Sequence, residues 1–256
     1  GGWTITWQGR ENINSDFVNV NSIYEALEKT ILSSGGTVEF SDNGKFTKDP
    51  DVVIGVFGEE PYAEMLGDLK DVSFAATDPK FLPLLEAMNA QSIPTVSIFL
   101  SGRPLVVNRQ LNASDAFIAA WLPGSAVEGI ADVIFTKDDE IHHDFTGKLS
   151  YSWPKTKDQS VLNFTDSIYD PLFPYGYGLS YSSNIETPRI QITNNDSKLD
   201  LVNVFLGTAS IPGKEFIVTK AGPEFVLQDD FVSNNDKIKI TRFDYQRQDD
   251  AKNVVF

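Results

Sequence analysis

The fold is decided by one short apolar stretch, Val52-Val53-Ile54-Gly55-Val56-Phe57. It has the length of a single strand, and no polar residue interrupts it. A strand with one face in solvent alternates apolar and polar residues, whereas a parallel strand covered on both faces stays apolar throughout. The stretch therefore predicts a central, fully covered strand of a parallel sheet, with the loop Gly58–Asp68 leaving its C-terminal end.

Helix and strand patterns alternate on both sides of this stretch. Upstream, Ser22–Glu25 reads as a capping box that opens a helix, and Gly35-Gly36 ends it. The next segment, Thr37–Phe40, reads as a strand. Downstream we predict a helix around Leu84–Ala90 and a strand over Pro94–Leu100.

The alternation continues to about residue 180. A strand is predicted within Ala116–Trp121, and a second capping box at Ser125–Glu128 predicts a helix that ends near Phe135. Leu149–Ser152 would add a late edge strand. Strands that alternate with helices indicate an α/β class, here a parallel-stranded αβα sandwich.

The pattern changes in the last part of the chain. Helical periodicity stops, and short strand-like pieces recur at the spacing of an antiparallel sandwich. The pieces are Ile190–Ile192, Leu201–Phe205, Phe216–Thr219, Phe225–Leu227 and Ile238–Phe243. We therefore predict two domains: an α/β domain over residues 1–185, and a small all-β module over residues 186–256 whose completeness the sequence leaves open.

Composition excludes several classes of protein. The 256 residues are 41% hydrophobic and 22% charged, as in ordinary globular proteins. The net charge of −15 argues against nucleic acid as a partner and is compatible with a neutral glycan. No apolar run reaches the ~20 residues of a membrane span. The chain opens with Gly1 rather than Met and shows no signal peptide, so we expect upstream sequence to have been removed.

Metal and cofactor chemistry find little support in the sequence. Cysteine is absent, which excludes thiol catalysis and iron–sulfur clusters. The two histidines, His142 and His143, are adjacent, whereas a zinc site or a Ser-His pair needs dispersed ligands. We expect both on a solvated loop, and we expect no metal and no cofactor.

The loop after the apolar strand is rich in carboxylates: Glu59, Glu60, Glu64 and Asp68. Loops at the C-terminal ends of parallel strands build the ligand crevice. Glycoside hydrolysis needs two carboxyl groups, one of which protonates the leaving oxygen. An ordinary solvated loop explains the same residues, and the loop alone does not decide between the two interpretations.

Aromatic residues and one arginine are further candidates. Trp3 and Trp7 are four residues apart, which would place them on one face of a helix or a strand, either as a sugar-binding wall or as core packing. Trp121 and Trp153 accompany apolar strands, and we interpret both as structural. Arg103 follows a predicted buried strand, where an arginine usually anchors loops through carboxylates or carbonyls.

A series of motifs carries a family resemblance. In order, they are Gly1-Gly2-Trp3-Thr4-Ile5, Trp7-Gln8-Gly9, Gly58-Glu59, Pro61-Tyr62-Ala63-Glu64, Gly67-Asp68, Ser101-Gly102-Arg103-Pro104, Ala119–Ser125, Asp144–Leu149, Tyr169–Phe173 and Tyr175–Leu179. The series resembles the second domain of glycoside hydrolase family 3, in the form seen in plant and bacterial exo-β-glucanases. The resemblance covers residues 1 to about 181.

The resemblance implies a retaining, exo-acting β-glucosidase or β-glucanase that releases glucose from non-reducing ends. An N-terminal (β/α)8-type domain of the same polypeptide would supply an aspartate nucleophile. Glu64 matches the general acid/base, with Glu59 as the runner-up, and Trp7 matches a sugar-binding tryptophan. Leu66 departs from the family pattern, which has Lys there. The family also implies an extracellular or periplasmic location, and the chain alone would be inactive.

Two other interpretations stay open at this point. The chain could be a non-catalytic carbohydrate-binding or interdomain module. A flavodoxin-like nucleotide binder is the third, although no glycine-rich phosphate loop follows a strand.

Overall fold

The computed structural model describes residues 3–74, 81–137, 140–185 and 187–192, together with short strands between residues 218 and 246. The chain divides into two compact units, Gly1–Ile192 and Thr193–Phe256. The domain boundary at residues 185 and 186 stays a prediction.

The first unit is built on a parallel sheet. Its strands are β1 (Val53–Gly58), β2 (Thr95–Leu100) and β3 (Ala116–Ala119), in the spatial order β1-β2-β3. All pairs are parallel, with Phe57 opposite Phe99 and Ile98 opposite Ile118. Helices cover both faces, so the predicted α/β class is confirmed.

The apolar stretch forms a strand but does not occupy the predicted place. In the described sheet β2 is the central strand and β1 lies at an edge, so the prediction that Val52–Phe57 is central is wrong. Full cover is also wrong, because Val56 is 38% exposed. The helices on that face of the sheet lie against Ile54 and Ile98 and leave the outer end of β1 open.

The two faces of the sheet bury different kinds of side chain. One face carries Phe57, Phe99 and Phe117, which pack with Phe74 and Trp153 in an aromatic cluster. The other face carries Ile54, Ile98 and Ile118, which pack against Leu27 and Ile130. Alternate residues of a strand point to opposite faces, so adjacent residues such as Ile98 and Phe99 serve different layers.

Four helices of the described residues complete this unit: α1 (Ile23–Ser33), α2 (Phe81–Ala90), α3 (Asn108–Asn112) and α4 (Glu128–Ile134). Helices α1 and α4 contact each other over the isoleucine face. Helix α2 lies on the aromatic face, where the side chains of Phe81 and Leu85 pack closely against Gly55. No helix within the described ranges is both long and apolar enough to cross a bilayer.

The two predicted capping boxes have different outcomes. At α1 the box is confirmed: Ser22 Oγ accepts from the Glu25 amide at 3.2 Å, and the Glu25 carboxylate accepts from the Ser22 amide at 2.6 Å. These backbone and side-chain hydrogen bonds lower the pKa of Glu25. The second box is wrong, because α4 starts at Glu128, whose carboxylate instead accepts from Asn21 at 2.7 Å.

Three predicted strands are absent from the described residues. Thr37–Phe40 pairs with no described strand, and its Glu39 carboxylate binds the Thr47 amide and hydroxyl instead. Leu149–Ser152 makes no strand, since prolines flank the single bridge that joins Trp153 to Phe173. Ile190–Ile192 is irregular, and the Ile190 amide donates to the Asn112 side chain.

In the second unit the structure describes short antiparallel strands. They are β4 (Val218–Ala221), β5 (Glu224–Leu227), β6 (Phe231–Val232), β7 (Lys239–Ile240) and β8 (Tyr245–Gln246). Strand β5 pairs with β4 and β8, and β6 pairs with β7. Parts of three predicted strands coincide with β4, β5 and β7, whereas Leu201–Phe205 lies outside the described residues.

Phe99→Ala tests the aromatic cluster. The ring is fully buried and lies 5.1–6.4 Å from the rings of Phe57, Phe74, Phe117 and Trp153, centroid to centroid. We expect the free energy of unfolding in urea to fall by about 3–5 kcal/mol, because the cavity is enclosed. If this variant does not fold, Phe99→Leu should lose about 1–2 kcal/mol.

Phe164→Ala is the matched control, because Phe164 is 60% exposed and stacks only on Tyr175 among the described residues. It should lose about 1 kcal/mol or less. Equal losses for the two phenylalanines would contradict the assignment of Phe99 to the core.

Candidate active site

The loop after β1 starts where two backbones approach closely. A Cβ on Gly58 would lie 2.6 Å from the Leu100 carbonyl oxygen, so only glycine fits at the end of β1. The Glu59 amide donates to the same oxygen at 2.8 Å, which extends the pairing by one residue. The loops after β1 and β2 therefore leave the sheet side by side.

An ion pair joins these two loops. Arg103 donates from Nε at 2.7 Å and from Nη2 at 2.5 Å to Oε1 of Glu59. The side chains are only 18% and 11% exposed. Arg103 Nη1 also donates to the Gly67 carbonyl at 2.7 Å. The prediction that Arg103 anchors a loop through a carboxylate or a carbonyl is confirmed for both.

Tyr62 fills the space inside this arrangement. The Arg103 guanidinium lies over its ring, 3.9 Å from the centroid, and a Cβ on Gly102 would be 2.8 Å from its hydroxyl. Burial raises the pKa of Tyr62; the Arg103 charge opposes this shift and the Glu59 charge adds to it. Sequence reasoning assigned Tyr62 no role. The glycines at 67 and 102, which make room for the ring, are the signal that it left unused.

The N-terminal segment lies against the same loop. Trp3 Nε1 donates to the Tyr62 carbonyl at 3.0 Å, and Arg10 Nε donates to the Pro61 carbonyl at 3.0 Å. Trp7 starts a short 3-10 turn (Trp7–Gly9) and is 82% exposed. The prediction that Trp3 and Trp7 share one face is wrong, because left-handed backbone at Ile5 interrupts any regular element between them.

Glu64 has different surroundings from Glu59. It begins the 3-10 turn Glu64–Gly67, with a left-handed φ of 50°, and its side chain is exposed. No described residue hydrogen-bonds or ion-pairs with its carboxylate. The structure thus places both candidate glutamates on one loop, Glu59 held by Arg103 and Glu64 open to solvent.

The remaining candidates are accounted for by the fold. Trp153 is buried and Trp121 packs on it at 5.9 Å between ring centroids, so both are structural as predicted. His142 and His143 are exposed. Within the described part of the chain, no group of His, Asp and Glu side chains is arranged to hold a metal ion.

A groove lies beside these groups and is lined in part by Trp3 and Glu59. It measures about 1650 Å³ and is lined by α1, residues 36–61 and parts of neighbouring loops. Neither Glu64 nor Trp7 is among its lining residues. We therefore place the candidate site on the exposed surface around Glu64 rather than in the groove.

A family model described as the glycosyl hydrolase family 3 C-terminal domain matches residues 1–181. The chain belongs to glycosyl hydrolase family 3. In this family 3 chain, the matched residues contain the parallel sheet, the loop with Glu59 and Glu64, and the segment with Trp7.

Individual relatives agree with this assignment. The chain is similar to the solved exo-1,3/1,4-β-glucanase from a Pseudoalteromonas species, with 52% identity and a TM-score of 0.72, covering 75% of this chain and 24% of that one. It is 29% identical to the periplasmic β-glucosidase of Salmonella typhimurium, covering 71% of this chain and 26% of the relative. It is 27% identical to the lysosomal β-glucosidase of Dictyostelium discoideum, covering 72% and 24%. The family 3 chain thus spans about a quarter of the length of these relatives.

A pair of glycine substitutions tests the packing around Tyr62. Gly102→Ala puts a methyl group 2.8 Å from the Tyr62 hydroxyl, so we expect a loss of about 1–3 kcal/mol in the free energy of unfolding. Gly129→Ala in α4 meets nothing within 4 Å and should stabilise the chain by up to about 1 kcal/mol. Urea titrations of both variants measure the difference, and a neutral Gly102→Ala would contradict the close packing.

Proposed function

We propose that the chain is the acid/base-bearing part of a retaining, exo-acting β-glucosidase or β-glucanase. In this proposal Glu64 is the general acid/base and Trp7 is one wall of the sugar site. An N-terminal (β/α)8-type domain supplies an aspartate nucleophile. The observation that carries the proposal is the difference between the two glutamates. The Glu59 carboxylate forms an ion pair with Arg103, whereas Glu64 is exposed without a described partner.

The acid/base role requires a carboxyl group that can reach a leaving oxygen. Oε1 of Glu59 already accepts two N–H groups from Arg103, and its side chain is largely buried. Such a group would have to break its ion pair before it could protonate a substrate. Glu64 needs no such rearrangement, which favours it over Glu59.

The second carboxyl group has to come from outside this chain's loop. In a retaining glycosidase the two carboxyl groups lie roughly 5–5.5 Å apart on opposite sides of the anomeric carbon. Glu60 and Asp68 are exposed on the same loop as Glu64, so we do not expect either on the opposite side of a bound sugar. The family resemblance assigns the nucleophile to the barrel domain, which agrees with this requirement.

The reaction then has two displacements. The aspartate attacks the anomeric carbon, the glycosidic C–O bond breaks, and the Glu64 proton goes to the leaving oxygen. Glu64, now a carboxylate, takes a proton from water as that water attacks the anomeric carbon and releases the aspartate. The exposed Trp7 ring would cover one C–H face of the sugar.

The substrate and location follow the relatives. Those named above are two β-glucosidases and an exo-1,3/1,4-β-glucanase, which favours a β-linked glucan or oligosaccharide as the substrate. A neutral glycan is not repelled by a chain of net charge −15. A periplasmic relative supports the extracellular or periplasmic location that the family resemblance implies.

Glu64→Ala in the complete enzyme tests the acid/base role. We expect hydrolysis of a β-glucan, whose leaving group needs protonation, to fall about 100-fold or more. Aryl glucosides with activated leaving groups should lose less in the first step, and azide should restore part of their turnover because it attacks without base help. Steady-state kinetics with both substrates measure the difference.

The matched control is Glu60→Ala, on the same loop and also exposed, which should stay near wild type. The 256-residue chain alone is expected to be inactive. If Glu64→Ala hydrolysed β-glucan like wild type and Glu59→Ala abolished hydrolysis, the role would move to Glu59. If neither substitution mattered, the proposed function would be wrong.

Trp7→Ala tests the sugar wall. A single ring contact is worth about 1 kcal/mol, so kcat/KM for glucosides should fall about fivefold or more. Trp7→Phe should keep most of this activity, because the ring face remains. An unchanged kcat/KM in Trp7→Ala would show that the ring does not touch substrate.

A further inference from the structure

We propose that Arg103 is a positioning residue, which sets the place of the Glu64 carboxyl group by holding both ends of its loop. The inference rests on the proposed function, because it concerns the acid/base role of Glu64. Arg103 itself is not required to touch substrate. It acts on the reaction through the loop alone.

The contacts of one guanidinium group reach three parts of the loop. Nε and Nη2 bind Glu59 at its start, and Nη1 binds the Gly67 carbonyl at its end. The guanidinium plane covers the Tyr62 ring in between. We call these four residues, Glu59, Tyr62, Gly67 and Arg103, the loop clamp.

Glu64 is carried by the part of the loop that the clamp encloses. Its 3-10 turn is closed by two local hydrogen bonds, from the Leu66 amide to the Ala63 carbonyl at 3.2 Å and from the Asp68 amide to the Met65 carbonyl at 3.1 Å. Met65 is 76% exposed and adds little packing. The place of Glu64 therefore depends mainly on the clamp and on the segment that donates to Pro61 and Tyr62.

Burial strengthens the clamp. Side chains that are 18% and 11% exposed are poorly screened by water, and removing one of them leaves the other charge uncompensated. Arginine suits this place for geometric reasons. Its planar fork donates in two directions and stacks on a ring, whereas a lysine ammonium is a point charge that cannot do both.

A shift of the loop would affect catalysis more than folding. The aromatic core around Phe99 contains no residue of the loop Gly58–Asp68. A general acid works only within hydrogen-bond reach of the leaving oxygen, and a displacement of about 1 Å can cost about 100-fold in rate. If Arg103 acts by positioning Glu64, its substitution should therefore lower the rate most for substrates whose leaving oxygen needs protonation.

The test is Arg103→Lys in the complete enzyme, compared with Arg109→Lys. Arg109 also pairs with a glutamate, Glu86 at 3.2 Å, but in an exposed setting away from the loop. We expect Arg103→Lys to lower kcat/KM on β-glucan, which reports the first displacement, by about 10–100-fold, through kcat and with little change in KM. The kcat/KM of activated aryl glucosides should fall less than about fivefold, and Arg109→Lys should behave like wild type.

A merely structural role would give a different pattern. Titration with a fluorinated glucoside that traps the glycosyl-enzyme counts active molecules, and rates are expressed per active site. Equal losses on both substrates, or a loss that vanishes after this normalisation, would overturn the inference. If Arg103→Lys does not fold, Tyr62→Leu, which removes the ring under the guanidinium and leaves the ion pair intact, should show the same leaving-group dependence.

A second readout does not depend on activity. In the 256-residue chain, Arg103→Lys should speed hydrogen exchange of the amides between residues 60 and 67, and Arg109→Lys should not. Unchanged exchange there would count against the clamp. The proposed function has its own test: it is wrong if the effect of Glu64→Ala does not depend on the leaving group. If Glu64→Ala shows it and Arg103→Lys does not, only the positioning inference is overturned.

Discussion

The first unit depends on covering both faces of one strand. In β2, Ile98 and Phe99 are adjacent and fully buried, one under α1 and α4 and the other in the aromatic cluster. A strand buried on both sides needs a helical layer on each, and α2, which lies between β1 and β2 in the chain, lets these two strands run parallel. The parallel direction then sends the loops after β1 and β2 out at the same edge. The position of the carboxylate loop is thus a consequence of how the core is filled.

At that edge the loop after β1 combines two parts: a closely packed base around Tyr62 and Arg103, and an exposed tip that carries Glu64. Gly58 and Gly102 allow backbone and ring to approach where a side chain would collide, and Tyr62 fills the space that they leave. Arg103 satisfies a buried carboxylate and a carbonyl at once, so the base contains charges but leaves them paired. The outward side chains, including Glu64, stay in solvent. Under the proposed function the site meets a substrate and a second domain, which requires this combination of fixed backbone and accessible tip.

Sequence patterns predicted correctly those structural features that depend on residues close together in the chain. The box at Ser22 and Glu25 is complete within four positions and was confirmed, whereas the box at Ser125 failed because Glu128 binds Asn21, which is 107 residues away. The run at Val52–Phe57 indicated a strand, but composition cannot tell a central strand from an edge strand with one open end. Both candidate glutamates could be placed on one loop. The difference between them depends on Arg103, 44 residues beyond Glu59, and no local pattern shows that contact. The roles assigned to Glu64 and Trp7 come from the family resemblance, since spacing alone left the loop and the tryptophans ambiguous.

The loop clamp also bears on how such a surface diversifies. Its members sit at positions 59, 62 and 67 and on the neighbouring loop, while residues 63–66 touch little of the fold. We therefore expect side chains between the anchors to tolerate substitution without disturbing the frame that holds them. Under the proposed function, a library restricted to residues 63, 65 and 66 would vary the surroundings of Glu64, and with them the accepted leaving groups, on a folded scaffold.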